Sequence, residues 1–434
     1  MLLRDPVHGL LSFEAEEEQI VVRLLATPEV QRLRRIRQLG LTCLAFPGAV
    51  HTRFSHALGA AHVMQSLIGR LRKIHDELPF WQRLSSERAR DAIAAALLHD
   101  VGHGPLSHLF EDAVMRACPG SARHHEQWTE HVLCERGTGV HAVLSQDDPE
   151  LPARVARLIR GEHELPYLAR SVSGTFDVDR CDYLLRDAHA TGVRYGDFDL
   201  PWLLRSLRFG ETRNGAAPGL AIDGPKGLTA IESFILARLF MFQQVYFHKS
   251  TRAAETMIIA ILRRALELLQ NGTRLARTPS AMHAFAAGEQ PSLGEYLDLD
   301  DHVLLETIKE WRHADDTILR DLCERLHTRS LFKTEELFGA SASPAGQDRA
   351  LEMLREIVQG AGLDPDYYAH VDLASDTPYE DDRSLMIHFD RGQLRAPSEV
   401  SFVLDRLKNE RLSRVRLVFP GELRDRVRDA LENQ

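Results

Sequence analysis

From Glu16 onward the apolar residues of this chain return at three-and-four spacing, segment after segment, and that periodicity commits most of the chain to helices. The spacing predicts helices over 16–25, 28–38, 55–78, 86–98, 125–135, 152–160 and 180–189, then 229–245, 251–269 and 301–327. Two interruptions read as β-hairpins. "LLRDPVHGLLSF" (2–13) sets Asp5-Pro6 and His8-Gly9 between apolar pairs, and 208–227 carries Asn214-Gly215 and Gly224-Pro225. Near the C-terminus "SLMIHFD" and "RVRLVF" read as strands and "GELRDRVRDAL" as a helix. The expected fold is therefore mainly α, a helical bundle with short hairpins and a small α+β C-terminal lobe. "FGASASPAGQ" (338–347) is the best linker candidate, which divides the chain into a core over 1–270, a helical extension over 271–345 and the lobe over 346–434. No internal repeat is visible.

The 434 residues are 44% hydrophobic and 27% charged, enough for a sizeable core. No run approaches the roughly 18 apolar residues of a membrane span, and the start, Met1 to Asp5, turns charged too soon for an export signal. Five cysteines, Cys43, Cys118, Cys134, Cys181 and Cys323, are scattered singly. They predict reduced thiols and a cytoplasmic location. A net charge of −10 argues against general attraction to nucleic acid. Only six of the 53 basic residues are lysines; base composition explains most of that bias, although arginine also suits bidentate phosphate contacts.

Ten of the 21 histidines crowd between residues 51 and 131. Taken singly, each is more often a capped or core imidazole than a ligand. In "AALLHDVGHGPLSHLFE" (95–111), however, an apolar helix ends in His99-Asp100, and His103 and His108 follow among glycines. Imidazole and carboxylate together suit a divalent transition metal. The alternative is a helix C-cap with a solvated His-Asp pair, and this segment alone leaves the two equal. Two further segments favour the metal: "HTRFSHALG" places His56 early in a helix behind Arg53, and "VDRCDYLLRD" places Asp179, Asp182, Tyr183 and Asp187 on another. One helix cannot surround an ion, whereas three can.

The ordered set "RDPVHG", "QRLRRIRQLG", "FPGAVHTRFSHALG", "ALLHDVGHGPLSH", "HHEQWTEHVL" and "VDRCDYLLRDAHATGV" resembles the HD-domain phosphohydrolase superfamily, and within it the deoxynucleoside triphosphate (dNTP) triphosphohydrolases related to the SAM and HD domain-containing protein of animals. The likeness runs from Leu2 to about Met257 and continues more weakly through "PYEDDRSLMIHFDRGQL"; a bacterial member without a SAM domain is expected. The resemblance implies an HD-type bundle in which His56, His99, Asp100 and Asp179 bind one divalent ion (Mn, Fe, Mg, Ni, Co or Zn). That ion would polarise a phosphoryl oxygen and activate water for attack on the α-phosphorus, releasing deoxynucleoside and triphosphate.

By the same resemblance, His103, His108 and His125 surround the phosphates. His108 or His125 would give a proton to the leaving oxygen, with Glu111 and Glu126 orienting them. Arg53, Arg180 and Arg238 hold phosphate charge. Gln38, Leu39 and Tyr183 match the sugar pocket, and Asp187 the 3′ hydroxyl. Arg238 has a physical reason as well, because it sits on an otherwise apolar helix where an unpaired guanidinium is costly to bury; a half-exposed surface position is the plain alternative.

Gln31 and Arg34 match a regulatory nucleotide site between subunits of a dimer of dimers. The acidic residue that reads guanine in regulated relatives is replaced here by Ala26, so the resemblance does not imply guanine selectivity, and a solvated helix face is the equal alternative for the basic run "RLRRIR". Two other functions compete: a nuclease or phosphodiesterase acting on single strands through the same metal site, and a non-catalytic nucleotide sensor.

Overall fold

The computed structural model describes residues 1–210, 218–381, 385–389 and 393–432. It contains 22 α-helices, joined by short 3-10 turns and three small sheets, so the mainly α expectation holds. The N-terminal hairpin pairs Leu2–Asp5 with Gly9–Ser12. The mid-chain hairpin pairs Leu207–Phe209 with Leu220–Asp223; its Asn214-Gly215 turn lies outside the described residues, as do 382–384 and 390–392 within the C-terminal motif.

Three helices frame one corner of the bundle. Ser86–Leu98 starts at Ser85, whose hydroxyl accepts from the Arg88 amide at 3.2 Å, and its Ala92 to Leu98 stretch is wholly buried. Arg53–Ile74 lies against it, and its Ala57, Ala60 and Ala61 are buried. Val178–Thr191 crosses Arg53–Ile74; Asp177 caps its first turn through the Arg180 amide at 2.8 Å, and Gly192 ends it with φ 78°. At the crossing, a Cβ built on Gly59 would stand 1.8 Å from Asp182 Oδ1. Glycine is thus needed for this approach.

The core falls into two apolar clusters. The first gathers these helices with Gln19–Leu25 and Gly224–Met241. The second forms around Lys249–Gln270, which packs on His108–Ala117, Thr317–His327 and the sheet made of Lys333–Leu337, Leu412–Phe419 and His370–Asp376. Leu293 and Leu297 touch both clusters. Strand Met386–Phe389 returns to the first cluster, where it pairs parallel with Leu220–Asp223.

Three expectations are corrected. The predicted linker 338–347 is a 3-10 turn, Gly339–Ala342, leading into the helix Pro344–Gln359; Ser343 caps it by accepting from the Gly346 amide at 3.2 Å, and small residues there serve a cap rather than a flexible joint. The predicted helix 301–327 is two helices, Asp301–Glu310 and Thr317–His327, with Asp316 capping the second by accepting from the Leu319 amide at 2.8 Å. One helix, Lys226–Tyr246, is long and apolar enough by length and composition to cross a membrane, contrary to the reading that no run comes near; it is 44% buried in this fold, and its Phe234, Ile235 and Met241 belong to the first cluster.

Candidate metal centre and adjoining cavity

His56, at the first turn of Arg53–Ile74, and His99, at the end of Ser86–Leu98, bring their Nε2 atoms to 3.3 Å of one another. Asp179 Oδ1 lies 3.0 Å from His56 Nε2 and 3.5 Å from His99 Nε2; Asp100 Oδ2 is 3.7 Å from the first and Oδ1 3.5 Å from the second. Each imidazole is fixed from behind. His99 Nδ1 donates to the Ala96 carbonyl at 2.9 Å and His56 Nδ1 to Asp182 Oδ2 at 2.8 Å, so both Nε2 lone pairs face the shared point. Two such lone pairs repel unless positive charge lies between them. The surroundings favour that charge: burial opposes it, yet hydrogen bonds accepted by Asp179 and Asp182 hold His56 up at about 10, and Asp100 and Asp179 raise His99. Two imidazoles and two carboxylates at this spacing fit a divalent transition metal.

Behind this group stands a buried network that the sequence reading did not include. Asp182 takes a two-pronged contact from Arg186 at 2.8 Å on each oxygen and a third from His8 Nε2 at 2.6 Å; Arg186 also reaches Asp5 at 2.8 Å. The "RDPVHG" turn therefore braces the metal-facing His56 through Asp182. The i, i+4 spacing of Asp182 and Arg186 was the available signal.

A second group of histidines adjoins the first across Asp100. The rings of His103 and His125 stack with centroids 3.9 Å apart, and His108 lies 4.9 Å from both. His125 Nδ1 donates to Glu111 Oε2 at 3.0 Å, while His124 meets Oε1 at 2.5 Å. Burial opposes ionisation of Glu111, but these histidines override it and bring it to about 2. Burial, then the Arg53 guanidinium, pushes His103 well below its ordinary value and His108 to about 4. Arg53 is anchored on Asp100 and on Ser107 Oγ at 2.9 Å.

The turn that presents these groups is tightly determined. A Cβ on Gly102 would stand 2.2 Å from the Thr129 amide, and Leu106 and Ser107 take positive φ values of 53° and 59°. Asp301 Oδ1 accepts from the Leu106 amide at 2.7 Å and steadies the strained step into His108–Ala117, a helix the periodicity did not reveal.

Both groups open on a cavity of about 320 Å³. Of the predicted residues, Gln38, Arg53, His99, Asp100, His103, His108, His125, Glu126, Asp179, Arg180 and Tyr183 line it. Arg180 is paired with Asp177 and the Gly174 carbonyl, and Gln38 Oε1 is buried without a hydrogen-bond partner among the described residues. Glu111 acts from behind His125. Leu39 packs on the first core cluster. Asp187 is held by His51 Nε2 at 2.7 Å and the Tyr246 hydroxyl at 2.8 Å. Arg238 meets Asp376 at 3.0 Å and lies 5.4 Å from the Phe242 ring centroid, while its Nε is buried without a hydrogen-bond partner among the described residues. Gln31 and Arg34 bond to one another at 2.8 Å, with the Arg34 guanidinium 3.5 Å over the Phe54 ring, outside the cavity lining.

Known proteins resemble this chain in sequence and fold. The HD domain family pattern matches residues 53–187, and that of the HD associated region matches 198–434. The uncharacterized protein YwfO of Bacillus subtilis is 34% identical over 430 residues, 97% of this chain and 92% of its own length. The deoxynucleoside triphosphate triphosphohydrolase SAMHD1 of Gallus gallus is 28% identical over 363 residues, 76% of this chain but only 55% of that longer protein. Among solved structures, a phosphohydrolase from Bacteroides thetaiotaomicron superposes with a TM-score of 0.80 at 29% identity, covering 96% of this chain and 99% of that one. A hypothetical protein from Aquifex aeolicus gives 0.75 at 27%, covering 99% of both. The chain belongs to the HD-domain phosphohydrolase superfamily, in the part of it related to SAMHD1.

Proposed function

We propose that the chain is a divalent-metal-dependent dNTP triphosphohydrolase, with His56, His99, Asp100 and Asp179 as the metal ligands. The observation that carries this reading is the pair of facing Nε2 atoms 3.3 Å apart, beside a cavity walled by imidazoles and arginines. A divalent ion held there supplies Lewis acidity toward a phosphoryl oxygen and makes water easier to deprotonate. Water attacks the α-phosphorus, the bond from phosphorus to the 5′ oxygen breaks, and that oxygen takes a proton. Deoxynucleoside and inorganic triphosphate leave.

His125 is the proton donor in this reading. The ionised Glu111 accepts its Nδ1–H and so aims Nε2 toward the cavity, whereas His103 and His108 are kept neutral by burial and Arg53. Those two are suited to hydrogen bonds with phosphoryl oxygens. Arg53 and Arg180 supply positive charge on the same wall, the second by leaving Asp177. Glu126 Oε1 lies 3.4 Å from His125 Nε2 and orients it at the mouth. The Tyr183 ring offers a flat face for the deoxyribose, and the unpartnered Gln38 Oε1 an acceptor for a substrate hydroxyl. Asp187 and Arg238 act in support, through Tyr246 and Asp376. A dimer of dimers, with Gln31 and Arg34 at a nucleotide-responsive contact, completes the proposal.

The test is chromatography of products after incubation with each of the four dNTPs, singly and mixed, with Mn²⁺ or Mg²⁺. Triphosphate in equal amount with deoxynucleoside, abolished by Asp100→Ala, is the expected result. Intact dNTPs alongside cleaved single-stranded oligonucleotides would replace the reading with the phosphodiesterase.

A further inference from the structure

A cavity larger than that of the metal site lies elsewhere. It measures about 720 Å³, within the roughly 300–1,000 Å³ of small-molecule sites, and shares no lining residue with the metal-site cavity. It lies farther along the crossing of Arg53–Ile74 and Val178–Thr191, toward the helix Leu200–Arg205. Apolar side chains, Val63, Leu185, Phe198 and Leu204 among them, form much of the floor, beside the imidazoles of His8 and His62. The rim is basic: Arg70, Lys73, Arg194 and Arg205, against one carboxylate, Asp197.

This charge is unusual in a chain of net charge −10. Among the described residues Lys73, Arg194 and Arg205 have no hydrogen-bonded carboxylate, and Arg70 reaches only the Leu207 carbonyl, at 2.7 Å. Burial, then the neighbouring Arg205 and Arg208, lowers Arg70, as mutual repulsion requires; Glu77 and Asp223 relieve it only in part. Such a rim is stabilised by an anion, and an apolar floor beside it by a flat or hydrocarbon body.

We infer that this cavity binds a nucleotide-sized organic phosphate, its phosphates on Arg70, Arg194 and Arg205 and its apolar body on the floor. The site is separate from the metal-site cavity, although His8 of its lining also braces His56 through Asp182, and the assignment does not rest on the reaction proposed for the metal centre.

Binding of a fluorescent N-methylanthraniloyl-ATP, followed by anisotropy on the metal-loaded protein, tests the assignment. Arg194→Glu combined with Arg205→Glu, two exposed positions that leave the core intact, is expected to weaken binding at least tenfold, and ATP is expected to compete at lower concentration than pyrophosphate. Photolabelling with 8-azido-ATP locates the site without any substitution, and label in peptides covering 62–73 or 193–205 is expected. Equal binding by the double variant, or label confined to 99–126 and 174–183, would overturn the proposal; pyrophosphate competing as well as ATP would overturn the role of the floor.

Discussion

Two groups of imidazoles flank Asp100, built from one residue type and with proton affinities driven in opposite directions. His56 and His99 face carboxylates and are raised, the first to about 10. His103 and His108 face Arg53 in a buried wall and are lowered, the second to about 4. Neighbouring charge outweighs burial in the first group and adds to it in the second. The carboxylate-rich corner is thus a place for a cation, while the arginine-backed wall keeps neutral rings for an anionic ligand.

The sharpest way to break this contrast is to remove one side of it. Asp179→Ala withdraws a carboxylate that faces both Nε2 atoms. Bound metal, read by elemental analysis, is expected to fall below detection and kcat/KM by about 10³-fold, the several kcal/mol a metal contributes to such a transition state. His108→Gln is expected to keep its metal. If that variant also strips the ion, the two groups are one site and the contrast fails.

Next in size is the brace. Asp182→Asn weakens the hold on His56 Nδ1 and leaves the buried Arg186 with only Asp5 as a charged partner. Metal affinity is expected to drop about 10–100-fold. Urea unfolding should show a loss of about 3–5 kcal/mol, the cost of breaking a buried pair. Gly59→Ala disturbs the same carboxylate by volume alone, because its Cβ would lie 1.8 Å from Asp182 Oδ1. An overpacking loss of about 1–3 kcal/mol is expected. A neutral result would mean the helix crossing can open without cost.

The helices that frame the site were legible because their apolar faces repeat strictly: 86–98 was read to the residue, and 180–189 lies inside Val178–Thr191. His108–Ala117 was not legible, since its start follows two non-glycine residues at positive φ that Asp301, nearly 200 positions away, holds in place. The linker at 338–347 failed for a similar reason, small residues being common to caps and joints. At the site, the residue types announced a metal, but the charge states did not follow from type. Those depend on Asp182 against His56 and Arg53 against His103, contacts between segments far apart in sequence. Arg238 shows the same limit: residue type put a guanidinium on an apolar helix, but not its contact with Asp376, 138 positions away, nor the Nε that contact leaves unpartnered.

The smallest effect extends the contrast from imidazoles to carboxylates. Glu111, beside two histidines, sits at about 2, whereas Glu255 is pushed up to about 7 by burial and by Asp372 and Asp112, with Arg252 at 2.7 Å offsetting only part. An acid raised in the folded state binds a proton there that the unfolded chain has already released, so stability is highest at low pH and declines as pH rises through 7. Between pH 6 and 8 the decline attributable to this group is about 1.4 kcal/mol, and less in proportion to the 18% of its side chain that water reaches. In metal-saturated protein, Glu255→Gln is expected to flatten the unfolding free energy across that interval relative to the parent and to be the more stable of the two at pH 8. Parallel profiles would show that Arg252 keeps Glu255 ionised, and that opposite neighbours do not divide carboxylates here as they divide the histidines.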